Sequence, residues 1–148
     1  MKIISLSAAV LMLSAPTVLA DSAIIPAIKG YAQTDTGGSQ QVINAYRAQQ
    51  SDVIVENVGG VVEVILSDDL EGSRHQRFII RIAGGQTVLI VHNIDLAPRI
   101  DSLREGDRVS VKGKYEWNDR GGLIHWTHHD PRSVHEGGWI DHNSLRYQ

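Results

Sequence analysis

Apolar and polar residues alternate along much of the chain after residue 51, and this period of two predicts β-strands. The first such segment, residues 52–69, contains a glycine pair at 59–60, which marks a bulge or a tight bend within a strand. Residues 75–82 ("HQRFIIRI") are rich in β-forming side chains. A second glycine pair then predicts a hairpin turn into the strand of residues 86–93, "QTVLIVHN".

Two further strands are predicted after a longer connection that lacks the pattern. In residues 108–117 ("RVSVKGKYEW"), alternate positions share one face: Val109, Val111, Gly113, Tyr115 and Trp117. The turn "NDRGG" leads into residues 123–130, "LIHWTHHD", which close the series. The segment after Pro131 is predicted to be a loop-like C-terminal tail.

The segment before the first strand has a helical period. In residues 40–50 ("QQVINAYRAQQ") the apolar side chains cluster on one helical face: Val42, Ile43, Ala45, Tyr46 and Ala48. Ser39 is the expected N-cap, because a serine hydroxyl accepts a hydrogen bond from a free N–H of the first turn. Residues 21–50 are therefore predicted to form a loosely ordered arm followed by a short helix.

These elements predict a mainly β fold, a small five-stranded Greek-key OB-like barrel with a short N-terminal α-helix. The barrel with its C-terminal tail is expected to occupy residues 51–148. In an OB-like barrel one bent strand serves both halves of the sheet, and the glycine pair in the first strand favours this fold. Another small β-barrel or a sandwich would have the same number of strands.

The first 20 residues have the pattern of a secretory signal peptide. Lys2 precedes an apolar run, and "VLA" at 18–20 has the small residues that a signal peptidase requires, so cleavage is expected after Ala20. The run is shorter than the ~20 apolar residues that span a bilayer. We therefore expect a periplasmic or secreted protein with no membrane span in the mature chain.

Composition narrows the class of partner. The chain has 14 basic and 17 acidic side chains, a formal net charge of −3, and no cysteine. An acidic protein without a basic tract is unsuited to nucleic acid, whose binding depends on neutralised phosphates. The absence of cysteine excludes both disulfides and a lipidated cysteine. The expected partner is a small ligand of the cell envelope or another protein.

The string "HWTHHDP", residues 125–131, carries the densest candidate chemistry. In an extended strand, His125, Thr127 and His129 share one face, and Trp126, His128 and Asp130 share the other. Aromatic and imidazole side chains together suit a ligand-binding surface. The predicted ligand-binding residues are His125, Trp126, His128, His129, Asp130 and Trp139.

A transition metal such as zinc is the alternative occupant of this site. Residues two apart on a strand lie about 7 Å apart, so His128 and Asp130 are able to reach one metal ion. Further ligands would come from strand ends at the same rim of the barrel: His142, His92 and His75. The competing interpretation is that these imidazoles bond to backbone carbonyls and that Asp130 ends the strand.

No catalytic residue is assigned by the sequence, because cysteine and a "GxSxG" motif are both absent. A metal-dependent hydrolase using the histidine-rich rim remains an alternative, as does a partner or inhibitory module without a small ligand. The favoured hypothesis is a binding or accessory protein of the cell envelope whose functional site is that rim.

Several motifs resemble those of one bacterial family. The strings "DDLEGSRHQRFI", "VLIVHNIDLAPRI", "GDRVSVKGKYEWNDRGG", "IHWTHHDP" and "GGWIDH" occur in this order over residues 51–148. They resemble a family of small exported proteins filed as a domain of unknown function. The resemblance implies an OB-like barrel and brings no substrate, cofactor or catalytic residue.

Overall fold

The computed structural model describes residues 37–148. The predicted signal peptide and the arm before the helix lie outside these residues. The described part contains one α-helix, seven strands and one 3₁₀ turn. The helix is α1 (Gly38–Arg47), and the strands are β1 (Val53–Ile65), β2 (His75–Ile82), β3 (Thr87–Asn93), β4 (Arg108–Glu116), β5 (Leu123–His125), β6 (Trp139–His142) and β7 (Leu145–Tyr147).

Five strands close into a barrel in the order β1-β2-β3-β5-β4 and back to β1. All neighbouring pairs are antiparallel except β3 and β5, which run parallel. The 3₁₀ turn Ala83–Gly85 joins β2 to β3, where a glycine hairpin was expected. This Greek-key order confirms the predicted OB-like barrel with a short N-terminal helix.

The first strand is long and shared between two neighbours, as its glycine pair predicted. Its residues 53–61 pair with β4, and its residues 60–65 pair with β2, with a register shift in each ladder. At Gly60 an added Cβ would lie 2.9 Å from the Cδ1 atom of Ile80. A side chain at Gly60 would therefore press on the Ile80 side chain of the neighbouring strand β2.

Alternate residues of the strands fill the barrel interior. In β4 the buried positions are Val109, Val111, Gly113 and Tyr115, as predicted, while Trp117 lies beyond the strand end and is partly buried against the core. The largest side chains that are fully buried in the barrel include Tyr115, Phe78, Ile80, Ile90 and Ile124. Removal of this apolar surface from water is the main source of folding free energy.

The helix packs against β1, with Val42 and Ala45 buried in the core. The predicted N-cap is wrong: the helix begins at Gly38, capped by Gly37 with φ of 88°, and the Ser39 hydroxyl donates to the Gly59 carbonyl at 3.2 Å. A Cβ at Gly38 would overlap the β1 backbone, so the close approach of helix and strand sets the start. No helix within residues 37–148 has the length and apolar character to cross a membrane.

Two predictions about the C-terminal third are wrong. The fifth strand ends at His125, and the next residue, Trp126, has a left-handed backbone with φ of 56°. The predicted loop-like tail instead forms the β6–β7 hairpin, and β6 pairs with β4 on the edge that β5 also uses. Residues 126–138 connect β5 to β6 and are called the histidine loop below.

Candidate functional site

The histidine loop reverses direction around one carboxylate. Asp130 accepts hydrogen bonds from three backbone N–H groups, those of Arg132 (2.9 Å), Val134 and His135 (2.8 Å). The N–H of His135, followed by the other two, lowers the pKa of Asp130 to about 2. The carboxylate is therefore ionised at any physiological pH and fixes the turn that follows it.

Strand β4 anchors the other end of the loop. The Lys112 ammonium lies 2.8 Å from the Glu136 carboxylate and 3.4 Å from that of Glu56. The N–H of Gly138 donates to the carbonyl of His128 at 2.9 Å. These bonds hold both ends of the histidine loop against the sheet.

Trp126 begins the loop, and two side chains pack on its ring. The Lys114 ammonium lies 4.1 Å from the indole centroid, and the His135 ring stacks on the indole at 4.1 Å and 13°. Lys114 is held in turn by the carboxylates of Glu116 (2.7 Å) and Asp52 (2.8 Å). Trp126 therefore positions His135 through the stacked contact.

His128 and His135 are oriented by the same kind of hydrogen bond. Each Nδ1 lies 2.8 Å from the carbonyl oxygen of the following residue, His129 and Glu136 respectively. Because a carbonyl only accepts, each Nδ1 carries the proton, and each Nε2 has a free lone pair when the ring is neutral. The two rings meet edge to face with centroids 5.3 Å apart, and Nε2 of His135 lies 3.9 Å from Asp130 Oδ2.

An open cavity of about 380 Å³ lies beside these rings and is called the histidine cavity. Its imidazole, indole and guanidinium side chains come from β2, β5 and the histidine loop: His75, His125, Trp126, His128, Arg132 and His135. Val91, Leu96 and Val134 supply its apolar wall, and Val134 is 75% exposed. No carboxylate of residues 37–148 lines this cavity.

His125 lines this cavity from the end of β5, and its side chain is partly buried. Burial, followed by the nearby Lys114 ammonium, lowers its pKa, so the ring is neutral at pH 7. Its Nε2 is buried without a hydrogen-bond partner among the described residues, and Glu116 Oε1 lies 3.5 Å away. A buried unsatisfied nitrogen is costly, and a ligand that bonded to it would remove the penalty.

Three of the predicted ligand-binding residues do not line the histidine cavity. His129 is exposed, and Asp130 serves the backbone of the turn. Trp139 is 7% exposed in β6, under the Arg146 guanidinium at 3.9 Å. The predicted division of residues 125–130 into two strand faces fails because the strand ends at His125.

His92 lies inside the barrel, bonded through both ring nitrogens. Nε2 donates to the Pro98 carbonyl at 3.1 Å, so Nδ1 accepts from the Thr127 hydroxyl at 2.8 Å. Burial lowers the pKa of His92 to about 4. This neutral imidazole ties the histidine loop to the end of β3 and has no nitrogen left for a metal ion.

The predicted metal ligands are not brought together as a set. His142 is buried in β6 with Nε2 2.8 Å from Asp107 Oδ2, while His75 and His128 line the histidine cavity. Within residues 37–148, no group of three or more histidine, cysteine, aspartate or glutamate side chains is arranged to hold a metal ion.

Sequence reasoning missed His135, Arg132 and the contribution of β3. The relevant signal was the Asp-Pro pair at 130–131, a turn initiator that reverses the chain and returns His135 to Trp126. Strand periodicity carries no information about a loop of this kind, because its geometry depends on contacts with distant residues.

A second cavity, of about 300 Å³, opens on the outer side of β2 and β3 and is called the turn cavity. Leu66, Ile79 and Leu89 supply much of its apolar wall, and the turn between β4 and β5 adds Asn118, Arg120 and Gly122. The Asn118 side chain accepts the N–H groups of Arg120 and Gly122, which shapes this turn.

The order of the strands and the closure of the sheet define a small OB-like β-barrel. The chain belongs to the family described as a protein of unknown function (DUF3465), which matches residues 26–148. The resemblance inferred from the sequence motifs is thereby confirmed. No curated protein matches the chain.

Proposed function

We propose that this protein is an exported binding protein of the cell envelope, and that the histidine cavity holds an anionic group of its ligand. One observation carries the proposal: four imidazoles and a guanidinium from three elements converge on one cavity whose described lining includes no carboxylate. Such a lining suits a carboxylate or phosphate group, which accepts hydrogen bonds and carries negative charge.

The nearby acidic groups are already occupied. The carboxylate of Asp130 is taken by backbone N–H groups, that of Glu136 by Lys112 and that of Glu116 by Lys114. Arg132 forms no ion pair with any residue in 37–148. Its positive charge therefore remains available for a ligand at the edge of the cavity.

His128 and His135 suit such a ligand in either protonation state. When neutral, Nε2 accepts a hydrogen bond from a protonated acid, and when protonated it donates to an anion. Export is supported by the signal-peptide pattern at residues 1–20. A binding role needs no group beyond those that line the cavity.

Calorimetry on the untagged protein tests this proposal. N-acetylglutamate amide and inorganic phosphate are the anionic probes, and choline is the cationic control. We expect one anion site, with at least a tenfold loss of affinity in His135→Gln and in His128→Gln. His129→Gln is the matched control, because His129 is exposed and lines neither cavity. Absence of anion binding, or an equal loss in the control, would contradict the proposal.

A metal-dependent hydrolase is the second candidate. A histidine that donates its Nδ1 proton to a carbonyl is in the state that metal-bound imidazoles adopt, and His128 and His135 both have this arrangement. A third protein ligand is not arranged beside them within residues 37–148. If elemental analysis finds near-stoichiometric zinc in the untagged protein and none in His128→Gln, the hydrolase candidate is favoured over the anion-binding proposal.

A further inference from the structure

We infer that the ligand is an extended acidic peptide segment about 20 Å long, lying along the outer face of β3 from the turn cavity to the histidine cavity. The inference rests on the proposed function, because one acidic side chain of the peptide occupies the histidine cavity. It adds the class of the ligand, its length and a second contact region.

The two cavities are neighbouring parts of one groove. All four residues of β3 that alternate with its buried positions line a cavity: Thr87 and Leu89 line the turn cavity, and Val91 and Asn93 line the histidine cavity. Same-face residues of a strand are about 7 Å apart, so these four positions span about 20 Å. Leu89 and Val91 are consecutive on this face, which makes the floor continuous.

Strand β2 forms the second side of the floor. Ile79 is paired with Leu89, and Arg77 is paired with Val91. The centre of the groove is therefore apolar with one guanidinium beside it. An amphipathic ligand with apolar groups in the middle matches this pattern.

The charge along the groove is positive although the net charge of the chain is −3. Arg120 lines one end, Arg77 lies at the centre and Arg132 lines the other end, and none of them forms an ion pair with a residue in 37–148. Arg77 donates only to the Ser67 carbonyl, at 3.1 and 3.0 Å.

Arginines around the groove are neutralised instead. Arg74 pairs with Asp95 and Arg99 with Asp68, and Arg81, opposite the floor residue Thr87, pairs with Glu63. Uncompensated guanidinium groups are thus found along the groove itself. A ligand with acidic groups at both ends would complement this distribution.

An extended peptide fits the groove better than a nucleic acid or a glycan. Its same-side side chains repeat every 7 Å, which is the spacing of the β3 floor residues. Stacking of sugars is strongest on an exposed Trp, Tyr or Phe ring, and the one such ring that lines either cavity, that of Trp126, is contacted by Lys114 and His135.

The test uses acetyl-Glu-Ser-Val-Ser-Leu-Ser-Glu-amide, whose acidic and apolar side chains all project to one side when the peptide is extended. The matched control, acetyl-Glu-Val-Ser-Ser-Ser-Leu-Glu-amide, has the same composition with its apolar side chains on the other side. Calorimetry with the full-length protein should show the first peptide binding at least tenfold more tightly than either the control or N-acetylglutamate amide.

A variant at the far end of the groove separates this inference from the proposed function. Arg120→Ala should weaken the heptapeptide at least tenfold and leave the affinity for N-acetylglutamate amide unchanged. Arg47→Ala is the control variant, because Arg47 is exposed on α1 and lines neither cavity.

The outcomes are distinct. If N-acetylglutamate amide binds with dependence on His135 and the heptapeptide gains nothing, the inference is overturned and the proposed function stands. If neither probe binds, both are overturned. Equal binding of a peptide with lysine in place of both glutamates, or tighter binding of a seven-residue oligothymidylate, overturns the peptide inference.

Discussion

The barrel and the histidine loop are held together by different forces. The barrel rests on continuous strand ladders and on fully buried apolar side chains such as Phe78 and Ile80. The loop rests on polar contacts, chiefly those of Asp130 with the backbone and of His92 with Thr127. A buried large apolar side chain contributes about 2–5 kcal/mol to stability, against about 0.5–1.5 kcal/mol for one hydrogen bond.

This difference separates stability from recognition. The proposed binding residues lie where loss of one contact changes local geometry while the barrel remains folded. The same polar contacts make the loop sensitive to protonation, which does not affect the apolar interior. Three changes test this division, beginning with the largest expected effect.

Removal of a large side chain from the barrel interior should destabilise the whole barrel. Phe78→Ala removes a ring that is fully buried and should lower the free energy of unfolding by about 3–5 kcal/mol. Urea denaturation followed by circular dichroism measures this loss. Leu70→Ala is the control, since Leu70 is 67% exposed, and should change stability by less than about 0.5 kcal/mol. Similar losses in both variants would refute the assignment of the core.

Acid should weaken the protein through His92. Burial lowers its pKa from 6.5 to about 4, so the unfolded chain takes up a proton at pH values where the folded ring stays neutral. Stability is complete above pH 6.5, falls as the pH drops towards 4 and levels off below that value. The total loss attributable to this ring is about 3 kcal/mol, from 1.36 kcal/mol for each pKa unit.

Comparison of two variants isolates the contribution of His92. Urea denaturation between pH 7 and pH 4 should show a much smaller pH dependence for His92→Gln than for the native protein, whatever its stability at pH 7. His125→Gln should keep most of that dependence, because the His125 side chain is 31% exposed whereas His92 is fully buried. An unchanged slope in His92→Gln would show that other groups govern acid sensitivity.

Of the two glycines where the histidine loop joins β6, only Gly138 should be intolerant of a side chain. A Cβ at Gly138 would overlap the backbone carbonyls of Trp126 and Lys112, whereas at Gly137 the nearest atom would be 3.7 Å away. Gly138→Ala should therefore destabilise the protein by about 1–3 kcal/mol and accelerate amide hydrogen exchange in β6. Gly137→Ala should leave both quantities nearly unchanged, and equal effects would disprove the close approach.

The barrel strands were predictable because burial imposes a period of two on the sequence. Residues 75–82 were predicted without error, and the predicted strand at 108–117 exceeds β4 by one residue. The glycine pair at 59–60 lies where β1 passes from β4 to β2, but the register shifts lie on either side of it, at 55–58 and 62–64. In each case the local pattern and the tertiary environment favour the same structure.

The hairpin and the histidine loop were not predictable in this way. The strands β6 and β7 have only four and three residues, and β6 is defined by its pairing with β4, about 30 residues earlier. The left-handed backbone of Trp126 has no local cause, because tryptophan does not favour it. Four residues of the histidine cavity were predicted from the sequence: His75, His125, Trp126 and His128. His135 was missed because it reaches the cavity through the chain reversal that Asp130 stabilises.

The indole of Trp126, which contacts Lys114 and His135, limits which residues can replace it in evolution. A left-handed backbone costs a bulky residue about 1–3 kcal/mol, whereas glycine adopts it freely. Replacement by glycine would relieve the backbone strain but remove the ring on which Lys114 and His135 pack. Divergence at this position is therefore constrained from two sides, and homologues with a small residue here should have acquired a different support for the imidazole at position 135.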